Sequence, residues 1–234
     1  MVLGRGILVI VAIAAPAAFG AAKPALAEDV FKNIQTFKGK PASSVIPAMD
    51  ALAGLLGVEC TYCHVTREWD RDDKPRKQTA RRMFEMQRYL NETHFGGRNR
   101  ISCWTCHRGH GKPEVHPNDP ARVEEAKAMV AIPASDESKP AEQVFHNIQS
   151  LAGMPAKDLP GVMVYFSQAL GVECSHCHVS GHWDQETPVK QTARKMLTMV
   201  DAAVHRFYGG SGPLGCPDCH QGSTNPEFLP AAKQ

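Results

Sequence analysis

LGVECTYCHV at residues 56–65 and LGVECSHCHV at residues 170–179 each set two cysteines three apart, with a histidine directly after the second. The same arrangement recurs twice more. The chain therefore carries Cys60-Thr-Tyr-Cys63-His64, Cys103-Trp-Thr-Cys106-His107, Cys174-Ser-His-Cys177-His178 and Cys216-Pro-Asp-Cys219-His220, which together use all 8 cysteines. In C-x-x-C-H each thiol is placed to add to a haem vinyl group and the histidine to bind the iron, so the pattern predicts four haem c groups. Zinc pairs give no reason for a histidine after every second cysteine. A thioredoxin-like pair would appear once, on a βαβ pattern that is missing here. A disulfide framework would spread its spacings and would not need the histidines.

The N-terminus sets the compartment. Met1 to Gly6 carries one positive charge, Arg5, and Ile7 to Ala15 is apolar. Ala25-Leu26-Ala27 offers small residues where a signal peptidase reads, so residues 1–27 are expected to be a signal peptide and Glu28 the mature start. The apolar run is interrupted by Pro16 and is too short to favour a permanent span. No cysteine lies near that cleavage point, so no lipid attachment is expected there. Export to the periplasm or beyond suits c-type haem, which is attached after translocation in bacteria.

Removing 27 residues from 234 leaves 207, or about 52 per haem. That is too little chain for a large apolar core, so the haems are expected to supply much of it. Lys and Arg number 26 against 24 Asp and Glu in the full chain. Loss of Arg5 and Lys23 with the leader would balance them, and the haem propionates would then make the protein acidic. Nucleic-acid binding has no electrostatic support.

The chain repeats itself. Residues 30–65 align with 144–179 at an offset of 114, with 17 of 36 positions identical, and Trp69-Asp70 keeps that offset with Trp183-Asp184. After a one-residue deletion, 77–109 aligns with 190–222, with 13 of 33 identical. The expected organisation is a first dihaem module at 28–112, a proline-rich linker at 113–140 with one short helix near Ala121 to Ala131, and a second dihaem module at 141–234. Each module reads as mostly α with little regular β-structure. Helices are expected from after Pro41-Ala-Ser-Ser to Leu56, ending at Gly57, and from near Asp158 to Gly171. Longer ones are expected from about Pro75 to His94 and from Pro188 to the Gly209-Gly210 pair.

A helix beside each motif is placed to supply a sixth iron ligand. Met49 precedes His64 by 15 residues, and Met163 precedes His178 by the same 15. Met83 and Met196 each precede the next haem histidine by 24, and Met86 and Met199 by 21. Methionine in a helix is ordinarily core filler. Met49 and Met163, however, keep their place although the next six residues all change. Met83 and Met86 share a helix face, and spacing does not choose between them.

The run of methionine helix, LGVECTYCH, a helix bearing ARRMFEM and then CWTCHRG resembles the tetrahaem cytochrome subunit of photosynthetic reaction centres, and related dihaem and tetrahaem cytochromes, over nearly all of 30–222. The resemblance implies a mostly helical fold with two pseudo-symmetric haem pairs and axial methionines on helices parallel to the haem planes. By it, Met49, Met83 and Met163 would bind the first, second and third irons. It also implies a histidine from the first module for the fourth iron, and His94 stands near that place. Simple symmetry would give that iron Met196 instead. At the position aligned with His94 the second module has Phe207, an asymmetry that favours the histidine. His110, His116, His146, His176, His182 and His205 lie in or near loops, or in one copy only, and read as surface residues. The reaction-centre subunit is longer and usually starts with a lipid-anchored cysteine, so the resemblance implies the haem scaffold rather than membership of a photosystem.

Two function classes follow. The favoured one is an electron carrier with four six-coordinate haems, exchanging electrons with redox partner proteins, a membrane complex or other copies of itself. The alternative is a multihaem oxidoreductase or gas sensor, which needs one open or displaceable iron position. Nothing else in the sequence resembles a catalytic constellation.

Overall fold

The computed structural model describes residues 23–114 and 118–230. The apolar run expected to head a signal peptide, and His116, lie outside the described residues. The described chain is mostly helical and has no sheet. Its only strand-like features among these residues are isolated bridges: Leu26–Pro41, Val65–Glu68, Pro140–Pro155 and Val179–His182.

In chain order the helices of five residues or more are α1 (Val45–Leu56), α2 (Pro75–Phe95), α3 (Cys103–His107), α4 (Pro120–Val130), α5 (Leu159–Leu170), α6 (Pro188–Tyr208) and α7 (Cys216–His220). Proline opens α2 and α6 where the missing N–H costs nothing. Left-handed glycines close them at Gly96 and Gly209. Gly57 and Gly171, at φ +60 and +65, end α1 and α5 in the same way. Their lack of a side chain has a second use. A Cβ on Gly57 would stand 2.0 Å from the carbonyl oxygen of Gly109, and one on Gly171 2.1 Å from that of Gly222. Through these paired glycines the end of α1 lies on the chain just past α3, and the end of α5 on the chain just past α7. The contacts are sealed by Gly109 N–H to Leu55 O at 3.0 Å and Gly222 N–H to Ala169 O at 2.8 Å.

The two halves pack through α2 against α6 and α3 against α7. Met86, Leu90 and Ile101 from the first half share a core with Met199 and Ala203 from the second. Buried hydrophobics are otherwise sparse among the described residues, and four of them are alanines. Asn91, at 3% exposure, ties α2 to the segment before α3. It donates to Ile101 O and accepts from the N–H groups of Arg100 and Ile101 at 2.8–2.9 Å. All its hydrogen-bonding groups at this buried site find use.

Long-range contacts bear on three boundaries expected from the sequence. Backbone bonds tie residues upstream of 28 to the first unit. Ala27 is wholly buried and its N–H donates to Lys40 O at 2.8 Å, while Ala42 N–H donates to Ala25 O at 2.8 Å. Lys139 and Ala141 do the same inside the continuous chain, accepting from Ala156 N–H and donating to Met154 O. A cut after Ala27 would remove the first set of these bonds. Residues 118–140 also make contacts with the second half. Their helix, one residue earlier than expected at each end, packs on α5, and Asn118 Nδ2 and Asp119 N–H donate to Gly161 O and Gln168 Oε1, each at 3.2 Å. Finally, the C-terminal segment leaves the second half and crosses to the first. Trp104 Nε1 donates to Glu227 at 3.1 Å and Ser102 Oγ to Phe228 O.

Candidate haem-binding sites

The four C-x-x-C-H pentapeptides fall into two local forms. The first and third start in 3-10 turns, Cys60–Tyr62 and Cys174–His176, whereas the second and fourth are short helices. Both forms return the chain within one turn, which puts two thiols and an imidazole on one side of the backbone. In the first form His64 and His178 N–H donate to Cys60 O and Cys174 O at 3.0 Å. In the second, side chains brace the start: Ser102 N–H donates to Thr105 Oγ1 at 3.0 Å, and Gly215 N–H to Asp218 Oδ2 at 2.6 Å.

Every motif histidine points Nδ1 at a backbone carbonyl. His64 reaches Trp69 O at 2.9 Å, His107 reaches His110 O at 2.9 Å, His178 reaches Trp183 O at 3.0 Å and His220 reaches Ser223 O at 2.8 Å. A carbonyl only accepts, so Nδ1 must carry the proton and Nε2 is left with its lone pair. That is the tautomer and the outer-shell bond typical of a metal-bound histidine. Burial also holds the imidazoles of His107 and His178 below their ordinary pKa, in the neutral form a ligand needs. Burial pushes the Cys103 thiol up and that of Cys216 to about 11. The residues fit covalently held haem.

Two cavities adjoin the motifs. One, of about 450 Å³, is lined by Cys174, Cys177 and His178 together with Met163 on α5. Phe166 and Leu197 give it apolar walls, and Met129 of α4 also reaches it. The other, of about 270 Å³, is lined by Cys103, Cys106 and His107 with Met83 and Met86 on α2. Cys63 of the first motif and Cys219 of the fourth reach that same cavity. At the seam between the halves Cys106 Sγ stands 3.2 Å from Cys219 Sγ.

The remaining expected ligands are placed as follows. Met49 is half-buried on α1. Met86 and Met199 sit inside the core shared by α2 and α6, while Met83 and Met196 lie at its margin. His94, near the end of α2, has a buried Nε2 with no hydrogen-bond partner. Its ring packs edge-on against Tyr89 at 5.7 Å. His110, His146, His176, His182 and His205 are exposed. His110 and His205 each pair with a carboxylate four residues away, Glu114 and Asp201, both at 3.4 Å.

Sequence reasoning missed the carbonyl partners of the histidines, and two lysines that share them. Lys77 Nζ donates to Trp69 O at 2.9 Å and Lys190 Nζ to Trp183 O at 2.6 Å. The available signal was Trp69 and Trp183 holding their offset from the motifs.

The family model for the photosynthetic reaction centre cytochrome c subunit matches residues 10–144 and 156–210. The chain is 26% identical over 253 residues to the photosynthetic reaction center cytochrome c subunit of Rubrivivax gelatinosus, covering 86% of this chain and 68% of the relative. The subunit of Thermochromatium tepidum is 26% identical over 250 residues, with 86% and 61% covered. That of Roseobacter denitrificans is 27% identical over 260 residues, with 86% and 70% covered. With its paired thiols and Nε2-free histidines, the chain belongs to the photosynthetic reaction centre cytochrome c subunit family.

Proposed function

We propose that this protein is a tetrahaem c-type cytochrome that works outside the cytoplasm, passing electrons between redox partners without transforming a substrate. The observation that carries this reading is the repeated geometry of four C-x-x-C-H motifs, each histidine donating Nδ1–H to a carbonyl 2.8–3.0 Å away. Haem c supplies the one-electron couple. The chain's residues hold it by two thioethers, orient the proximal imidazole and set the polarity around it. On this reading His64, His107, His178 and His220 would hold the four irons, and Met49, Met83 and Met163 would be the second protein ligands of the first three. Met83 is favoured over Met86 because Met86 is committed to the core between α2 and α6.

The organisation proposed is two dihaem modules, the first beginning near Ala25 and the second including α4. Cys106 and Cys219 meet at the seam, and Cys63 reaches the cavity beside them. These contacts support a spatial order of first, second, fourth, third attachment site. Export with cleavage upstream of Ala25 preserves the Ala25 and Ala27 backbone bonds. No helix among the described residues is long and apolar enough to cross a membrane. The relatives are named as subunits of reaction centres, so a membrane redox complex is one partner class, beside soluble redox proteins.

A carrier needs every iron closed to outside ligands. Carbon monoxide added to the reduced protein should leave its absorption spectrum unchanged. A spectral change in the unmodified protein would instead support an oxidoreductase or gas sensor with one open iron.

A further inference from the structure

The four histidine–carbonyl pairs are not equivalent. The carbonyls beside His107 and His220, those of His110 and Ser223, receive no further side-chain donor among the described residues. Those beside His64 and His178 each receive a lysine ammonium. Lys77 Nζ lies 2.9 Å from Trp69 O and 2.8 Å from Arg71 O. Lys190 Nζ lies 2.6 Å from Trp183 O and 2.7 Å from Gln185 O. Lys77 is only 8% exposed, although it reads as a surface residue in the polar start of α2.

A carbonyl oxygen has two lone pairs, so it accepts from the histidine and the lysine together. How strongly it accepts from Nδ1–H decides how much electron density the imidazole passes to the iron. A second donor on the same oxygen, here a cation, draws density away and weakens that acceptance. The positive charge also disfavours the oxidised, more positive iron through space. The two effects have the same sign.

We propose that Lys77 and Lys190 are positioning residues that raise the reduction potentials of the first and third haems by engaging the carbonyls that accept from the proximal histidines. The proposal rests on His64 and His178 being iron ligands. The two lysines differ in strength. Lys77 forms an ion pair with Asp72 at 3.1 Å, and Arg81 binds the same carboxylate at 2.8 Å. Lys190 has no such pair among the described residues: Glu186, which stands at the repeat position of Asp72, is held by Arg194 at 2.6 Å and Asn147 at 3.0 Å. The charge of Lys190 is the less neutralised, so its effect is the larger.

The test is a spectroelectrochemical titration of the holoprotein and of Lys190→Met, Lys190→Arg and Lys77→Met. The wave of the third haem is identified by its displacement in Met163→Ala. In Lys190→Met the reduction equilibrium constant of that wave should fall roughly tenfold, about 59 mV for one electron. Lys190→Arg, which keeps charge and donors, should return it to within about twofold of the parent. Lys77→Met should lower the first haem's wave by less, about threefold, and leave the second and fourth in place. Unmoved waves in both methionine variants would overturn the proposal. So would arginine shifting the wave as far as methionine does, or a variant turning high-spin or binding carbon monoxide, since the lysine would then only hold the loop. A haem count below four in the parent strikes the underlying tetrahaem reading instead, and intact mass distinguishes that case.

Discussion

Replacing Met163 with alanine is expected to leave the third haem covalently attached, lower its reduction potential and open its iron to carbon monoxide. Attachment depends on Cys174 and Cys177, which the substitution does not touch. Met163 lines the same cavity of about 450 Å³ as those thiols and His178, and it comes from α5 whereas the motif follows that helix. A thioether on iron favours the reduced state, and axial ligand identity spans a potential range of about 0.8 V. Loss of the thioether should therefore cost on the order of 100 mV or more. Met49→Ala should act alike on the first haem. If both variants titrate like the parent and stay closed to carbon monoxide, neither methionine is a ligand.

His94→Ala is expected to open a different iron, that of the fourth haem at Cys216, Cys219 and His220. The buried Nε2 of His94 has no partner, an arrangement that costs about 1–3 kcal/mol unless another group completes it. An iron would. Tyr89 packs edge-on against both the His94 ring and Phe207, each at 5.7 Å, so His94 lies where α2 meets α6 rather than out on a free surface. Met196 lies at the margin of the core between the same helices, as Met83 does, so its place does not choose between the two ligands and the unpartnered Nε2 of His94 does. Carbon monoxide should bind one haem of reduced His94→Ala and none of Met196→Ala. The fourth haem of the parent, with two histidines and no thioether, should have the lowest potential of the four. Carbon monoxide binding in Met196→Ala alone would assign that iron to the methionine and make the protein a symmetric four-methionine cytochrome.

The helices were legible because local residues punctuate them. Pro75 and Pro188 start α2 and α6, and Gly57, Gly96, Gly171 and Gly209 stop four helices in the left-handed conformation. The four C-x-x-C-H pentapeptides were legible because each is written in five consecutive residues. What escaped depends on partners far along the chain. Asn118 bonds Gly161, Trp104 bonds Glu227 and Ala27 bonds Lys40, and no period or cap in the sequence announces such pairs. Lys77 and Lys190 escaped for a related reason. A lysine near the start of a helix ordinarily stays in water, and only the fold of the Trp69 and Trp183 loops turns their carbonyls toward it.

The His110, Ser223, Trp69 and Trp183 carbonyls explain why the same pentapeptide works in two backbone forms. In the short-helix form the acceptor lies three residues past the histidine; in the 3-10 form it lies five past, across a loop. A lysine reaches the carbonyl in the longer loop, and no other side-chain donor among the described residues reaches the one in the shorter loop. The repeat thus keeps the histidine–carbonyl bond while giving the two motifs of each half different surroundings.

Intact-mass measurement of the exported, mature protein tests the tetrahaem reading most directly. It should show four covalent haem additions on a chain that starts upstream of Ala25, with one addition lost for each cysteine pair replaced. Three or fewer additions to the unmodified chain would contradict it.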